Sequence, residues 1–124
     1  MEKKRILIIE DESTLQRALS EFLSLEGFEV VNALDGEKGI EMAMKEKPDL
    51  ILLDIILPKK DGYEVVDELR SGEGTKNIPI ILLTNLETTE NVKRAFEKGI
   101  TTYLVKSDYK LEDIIKKIKE TLKM

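Results

Sequence analysis

The stretch Leu50-Ile51-Leu52-Leu53-Asp54-Ile55-Ile56-Leu57-Pro58-Lys59-Lys60-Asp61-Gly62 decides the fold. Its apolar run lies between Pro48 and the turn residues Pro58, Asp61 and Gly62, and reads as a short strand buried on both faces. The run ends on a carboxylate, Asp54. The same design recurs elsewhere in the chain: Ile6-Leu7-Ile8-Ile9 ends on Glu10-Asp11, Ile80-Ile81-Leu82-Leu83 on Thr84, and Tyr103-Leu104-Val105 on Lys106. If the runs are parallel strands, all these ends converge on one edge of a sheet, the edge where open α/β folds bind ligands.

Segments of helical period fill the spaces between the runs. After a strand over about Arg5 to Ile9, Ser13 and Gln16 predict a capping box. Leu15, Ala18, Leu19, Phe22 and Leu25 form the inward stripe of a first helix closed by Gly27. Phe28 to Ala33 reads as the second strand. Asp35 caps a helix to about Glu46 with Ile40, Ala43 and Met44 inward, and the third strand is Leu50 to Asp54. A short helix carrying Val65, Val66 and Leu69 follows Gly62, then a polar connection from Ser71 to Asn77 and a fourth strand, Ile80 to Leu83. Thr88 or Thr89 caps a fourth helix with Val92, Ala95 and Phe96 inward, closed by Gly99. A fifth strand, Thr102 to Val105, leads to a last helix with Leu111, Ile114, Ile115, Ile118 and Leu122 on one stripe and lysines opposite. Strands alternating with helices predict a parallel sheet covered on both faces, in one domain over 1–124.

Composition narrows the chemistry. The 124 residues include no Cys and no His, which excludes thiol nucleophiles, Ser-His-Asp triads, disulfides, the usual zinc ligands and a phosphohistidine carrier. Any metal must sit among oxygens, which points to a hard cation. The formal charge of −5 speaks against direct binding to a nucleic-acid backbone. The apolar run after Lys3-Lys4-Arg5 is too short for a signal peptide, and no run approaches membrane-spanning length, so a soluble cytoplasmic protein is expected. Gly72 and Gly74 precede a strand and belong at the opposite edge of the sheet, as a connection and not a phosphate loop.

Glu10, Asp11 and Asp54 brought within a few ångströms repel one another unless one is protonated or a cation neutralises them. A divalent cation there lets the site hold a phosphoryl group, with Asp54 as nucleophile, Lys106 as a point charge for one phosphoryl oxygen and Thr84 as a hydroxyl donor for another.

This constellation strongly resembles the receiver domain of two-component response regulators. The resemblance covers essentially the whole chain and rests on Glu10-Asp11, Asp54-Ile55-Ile56-Leu57-Pro58, Asp61-Gly62, Thr84, Tyr103 and Lys106. It implies a flavodoxin-like (CheY-like) doubly wound sheet of five parallel strands, order 2-1-3-4-5, with five helices. It implies a phosphorylated signalling switch, not an enzyme, acting by protein contact as chemotaxis-type or phosphorelay single-domain regulators do. Asp54 is then the phosphoacceptor, with Mg²⁺ (or Mn²⁺) held by Asp11, by Glu10 mostly through water, by Asp54 and by the backbone carbonyl of Ile56. Thr84 moves toward the phosphoryl group and Tyr103 swings into the space it vacates, altering the surface of the fourth helix, fifth strand and fifth helix. The implied partners are a sensor histidine kinase or phosphotransfer protein, facing the first helix and the loop after Lys106, and a downstream protein target. No nucleic acid or membrane contact is implied, and the chain is expected as a monomer or a weak phosphorylation-dependent dimer.

The chain departs from the family pattern at several positions. Ser107 follows Lys106 where most receivers carry proline after a cis bond; a cis bond before a non-proline residue costs roughly 2.5–4 kcal/mol, which favours trans here. Asn85 replaces the usual small residue after the switch threonine. Ile56 and Leu86, which in the family flank the path of hydrolytic water, are apolar, so a long-lived aspartyl phosphate is expected. Against the switch stand a phosphorylation-independent binding module, favoured by Ser107 and Asn85, and a phosphatase with an aspartyl intermediate. The common Asp-based phosphatases carry Asp-x-Asp after their first strand, where this chain has Glu10-Asp11-Glu12. A flavin carrier shares the fold, but no Ser/Thr-rich phosphate loop follows the first strand.

Overall fold

The computed structural model describes residues 3–86, 88–100 and 102–124. The apolar runs become strands β1 (Arg5–Ile9), β2 (Glu29–Ala33), β3 (Leu50–Leu53), β4 (Ile80–Thr84) and β5 (Thr102–Val105). Between and after them lie α1 (Ser13–Leu25), α2 (Gly36–Glu46), α3 (Gly62–Ser71), α4 (Thr89–Glu97), a single 3-10 turn (Lys106–Asp108) and α5 (Leu111–Thr121). All strand pairs are parallel, in the order β2-β1-β3-β4-β5, as expected from the sequence.

Strand alternation sorts the core into two layers. Leu7, Ile9, Ile51, Leu53, Ile80 and Leu82 face one side, where Ala43 of α2, Val65, Val66 and Leu69 of α3, and Ala95 of α4 cover them. Ile6, Ile8, Leu50, Leu52, Ile81, Leu83 and Leu104 face the other, under Leu19 and Leu23 of α1 and Ile114, Ile115 and Ile118 of α5. Because every central strand is buried on both faces, period-2 alternation is hidden and the runs read as continuously apolar. The C-terminal strand ends stay level across the sheet: Ile9 pairs with Leu53, Leu53 with Leu82, and Thr84 with Val105.

Several local expectations are corrected. The N-cap of α1 is Glu12, with no side-chain cap bond, and Ser13 and Gln16 form no capping box. Gln16 instead donates from Nε2 to the carbonyls of Glu10 (3.2 Å) and Ala33 (2.9 Å), fastening α1 to the ends of β1 and β2. Leu23 is buried, whereas Phe22 and Leu25 are exposed, because Leu15, Leu19 and Leu23 at i, i+4 and i+8 form the inward stripe. Met44 and Phe96 also face outward. Asp35 caps α2 by accepting from the Lys38 amide at 2.7 Å, as predicted. Thr88 caps α4 through the Asn91 amide, while the side chain of the alternative, Thr89, lies outside the described residues. The connection 71–77 is polar but not loose: the buried Thr75 hydroxyl donates to the Leu69 carbonyl at 2.7 Å. Among the described residues no peptide bond is cis, so the bond after Lys106 is trans.

Candidate functional site

Glu10 and Asp54 are the first residues past β1 and β3, and the sheet ladder still holds their backbones. The Glu10 amide donates to the Ala33 carbonyl and the Asp54 amide to the Ile9 carbonyl, each at 3.1 Å. This fixes both side chains at the central strands where the crossovers diverge, β1 toward β2 and β3 toward β4. Both carboxylates are nearly covered, Glu10 at 3% exposure and Asp54 at 7%, while the neighbouring Asp11 is exposed. Glu10, Asp11 and Asp54 each offer an oxygen, all within 4.8 Å of one another. Such a set of hard carboxylate oxygens suits Mg²⁺ or Mn²⁺ and no soft metal.

Lys106 reaches this cluster from the far side of the sheet. Its ammonium lies 2.5 Å from Glu10 Oε1, 2.9 Å from Asp54 Oδ2 and 3.9 Å from Glu12 Oε1. Burial pulls the ammonium's pKa down, but hydrogen bonds to Glu10 and Asp54 outweigh it, and the net shift is upward. Burial pushes the Glu10 carboxyl up to about 7; the Lys106 bond and the Glu12 amide oppose this, and the Asp54 charge adds to it. One ammonium among these carboxylates leaves the site short of positive charge.

The connection after Asp54 is tightly held. The Ile56 amide donates to Asp54 Oδ1 at 3.3 Å, while the Ile56 side chain is exposed. The Gly62 amide donates to the Ile55 carbonyl at 2.7 Å, and a Cβ at Gly62 would lie 2.5 Å from the Asp54 carbonyl oxygen and 2.6 Å from Ile55 Cα. Only glycine admits this approach, which brings the start of α3 against the site. Asp61 caps α3 in a full capping box with Glu64. Lys59 takes a left-handed conformation (φ 69°) at the tip of the loop, 3.8 Å from Asp35 at the start of α2.

Thr84 is wholly buried at the end of β4, and its hydroxyl oxygen accepts from the Leu86 amide at 3.4 Å. Tyr103 of β5 is half-buried and packs against the α2–α3–α4 layer, its hydroxyl donating to the Leu86 carbonyl at 2.7 Å. Burial, then the charges of Tyr63 and Asp54, push the Tyr103 phenol up to about 12. A shallow hollow beside Lys106 is lined by Thr14, Leu15, Ala18, Asn85 and Ser107.

The structure thus places Glu10, Asp11, Asp54, Thr84 and Lys106 at the C-terminal ends of four strands. Sequence reasoning missed two features. One is the contact of Lys106 with Glu10, shorter than its contact with Asp54. The other is Tyr63, which sits 3% exposed on α3, with its hydroxyl 2.8 Å from Asn91 Oδ1 and its ring under the Arg94 guanidinium. The Tyr following Asp61-Gly62 was visible, but nothing in the sequence tied it to Asn91.

Fold and site define an α/β protein with a cation-suited acidic cluster at the switch point of its sheet. The response regulator receiver domain model matches residues 6–119, and the chain belongs to that family, the receivers of two-component regulators. It is similar to the DNA-binding dual master transcriptional regulator RpaA of Synechocystis sp., with 37% identity over 119 residues that cover 96% of this chain and 49% of that protein. A CheY-like receiver domain protein of Methanospirillum hungatei superposes with a TM-score of 0.91 at 29% identity, covering 98% of this chain and 95% of that one. The phosphorylated cyanobacterial phytochrome response regulator RcpA gives a TM-score of 0.83 at 31% identity, covering 96% and 93% of the two chains. The chain spans about half the length of the curated relatives it matches. Among the described residues no helix is long and apolar enough to cross a membrane.

Proposed function

We propose that the chain is a phosphoacceptor switch in which Asp54 takes a phosphoryl group from a histidine kinase or phosphotransfer protein in the cytoplasm and thereby alters its surface for a downstream protein. The observation that carries this reading is the cluster of Glu10, Asp11 and Asp54 oxygens within 4.8 Å, with the Lys106 ammonium 2.9 Å from Asp54. An Asp54 oxygen attacks phosphorus, the nitrogen–phosphorus bond of the donor imidazole breaks, and the imidazole nitrogen keeps the electron pair. Lys106 has a place in this step as a fixed positive charge for phosphoryl oxygens, and Thr84 as a hydroxyl donor to another. Glu10, Asp11, Asp54 and the Ile56 carbonyl would hold Mg²⁺ or Mn²⁺, which when bound supplies charge neutralisation for the incoming phosphoryl oxygens.

Thr84 and Tyr103 serve as the switch, because both bind Leu86 at the start of the β4–α4 connection. The α4–β5–α5 surface is then the one the target reads. Nucleic acid is not a direct ligand of this acidic chain, whose net charge is −5, and the chain acts as a monomer or a weak dimer formed on phosphorylation. The chain itself catalyses no turnover of a separate substrate.

The test is intact mass after incubation with Mg²⁺ and acetyl phosphate, with Asp54→Asn and a chelated sample in parallel. One added phosphoryl group, absent from both controls, is the expected result. No addition with acetyl phosphate or with competent kinases would turn the reading to a phosphorylation-independent binding module.

A further inference from the structure

We propose that Gln16 and Gly36 are positioning residues for the cation: they brace the two ligand-bearing segments, Glu10–Asp11 and the loop after Asp54, against the corner between β2 and α2. The proposal rests on the reading of Glu10, Asp11, Asp54 and the Ile56 carbonyl as cation ligands given above.

The corner supplies none of these ligands, yet both segments rest on it. A cation such as Mg²⁺ tolerates little error in ligand placement, because its octahedral shell closes at about 2.0–2.1 Å. Its ligands here come from two strand ends, so the spacing of the segments beyond those ends decides whether the shell can close. On the first side, α1 begins almost directly after Asp11, and its N-cap Glu12 makes no side-chain cap bond. Gln16, on the first turn, supplies an anchor in its place. Its Nε2 donates to the Ala33 carbonyl at 2.9 Å and to the Glu10 carbonyl at 3.2 Å. The Ala33 carbonyl also accepts the Glu10 amide at 3.1 Å. One half-buried side chain thus ties the backbone of a ligand to the last residue of β2, and Asp11 lies within the segment that this tie closes.

On the second side, the same corner meets the loop after Asp54. The Pro58 carbonyl accepts the Gly36 amide at 3.2 Å and the Lys60 amide at 2.8 Å. Gly36 is buried as the first residue of α2. A Cβ there would run into the Lys60 carbonyl oxygen and lie 2.8 Å from both the carbonyl carbon and the Cβ of Lys60. The loop backbone therefore rests on the bare α-carbon of Gly36, an approach that only glycine permits. The Lys59–Asp35 and Lys60–Glu68 pairs, at 3.8 and 2.6 Å, border this contact but are largely solvated and hold the loop weakly. Ile56 and Pro58 are two residues apart, so a side chain at position 36 that displaces Pro58 and Lys60 carries the Ile56 carbonyl with them. Gln16 and Gly36 act as the outer partners of a metal site do: they keep the ligands in register without meeting the cation.

The test is a Mg²⁺ titration of the full chain, followed by the amide chemical shifts of Glu10, Asp11 and Ile56, with the thermal midpoint measured beside it in the absence of metal. Gln16→Met keeps the length of the side chain and removes its donors. It should raise the Mg²⁺ dissociation constant about tenfold, the low end for losing an outer partner of a metal ligand. Gly36→Ala should raise it in the same direction, and Gln16→Met decides the case if Gly36→Ala does not fold. Thr75→Val removes the buried hydroxyl bond to the Leu69 carbonyl, in the connection that precedes β4. It should lower the thermal midpoint and leave the Mg²⁺ affinity at the wild-type value, which separates positioning from loss of stability. Wild-type affinity in Gln16→Met, or in a folded Gly36→Ala, would overturn the brace alone. Equal weakening in Thr75→Val would overturn it too, because any loss of stability would then suffice. A wild-type protein whose shifts do not respond to Mg²⁺ removes the brace together with the cation reading on which it rests.

Discussion

The Lys106 ammonium lies 2.9 Å from Asp54 Oδ2, although the two residues are 52 positions apart and follow strands β5 and β3, which are separated in the sheet by β4. The lysine reaches across a whole strand, and continues to Glu10 beyond β1 at 2.5 Å. It is the internal counter-ion of the acidic pocket.

Lys106→Met should therefore destabilise the metal-free protein by about 3 kcal/mol, the low end for removing one partner of a buried ion pair. Added Mg²⁺ should narrow the gap, because the cation replaces the lost charge. Urea unfolding with and without Mg²⁺ measures both effects, and coincident midpoints of wild type and variant in the absence of metal would refute the counter-ion role.

Gly62→Ala should cost about 2–3 kcal/mol, the upper part of the range for overpacking a filled position. The new Cβ would lie 2.5 Å from the Asp54 carbonyl oxygen and 2.6 Å from Ile55 Cα, both backbone atoms that move only with the strand end. The same displacement should slow labelling by acetyl phosphate. A variant as stable and as readily labelled as wild type would show that the loop yields freely.

The Tyr103 phenol, pushed up to about 12 by burial and then by the charges of Tyr63 and Asp54, keeps its proton above the ordinary value of 10.0. In that window the folded protein binds more protons than the unfolded chain, so the stability it contributes is full below pH 10 and is lost as pH rises through about 12. Ultraviolet titration of the phenolates should show a late component near pH 12 that disappears in Tyr103→Phe. Loss of that component from a different tyrosine variant instead would reassign it.

The exposed Ile56 side chain follows Asp54 closely and has no group with which to orient water. Ile56→Asn should shorten the lifetime of the labelled protein several-fold, followed by mass as the phosphoryl group is lost. An unchanged half-life would remove Ile56 from any part in hydrolysis.

Much of the fold was legible because the central strands carry it. Ile6–Ile9, Leu50–Leu53 and Ile80–Leu83 are apolar without interruption, and each ends on a residue whose chemistry is out of place in a core. The helical faces were less legible. In α1 two stripes satisfy the period, and only contact with the β1–β3 surface chooses Leu23 over Phe22 and Leu25. In α4 the sequence offered Phe96 as an anchor, but polar pairing with Tyr63 and Asp67 turns that helix so that Phe96 faces out. The capping function expected of Gln16 went to a longer-range task, since its amide finds the Glu10 and Ala33 carbonyls within reach. In the pocket, the residue types were readable but the pairing of Lys106 with Glu10 was not. Partner choice among several carboxylates depends on distances that only the folded sheet sets.

The division of the pocket along the chain has a consequence for synthesis. Glu10, Asp11 and Asp54 all leave the ribosome before Lys106, which follows Asp54 by 52 residues. At about 5–20 residues per second that interval lasts seconds, during which β1, β2 and β3 are already available to pair. A half-sheet that pairs in that interval presents its carboxylates without Lys106, and dissolved cations share in answering their charge until the last strand arrives.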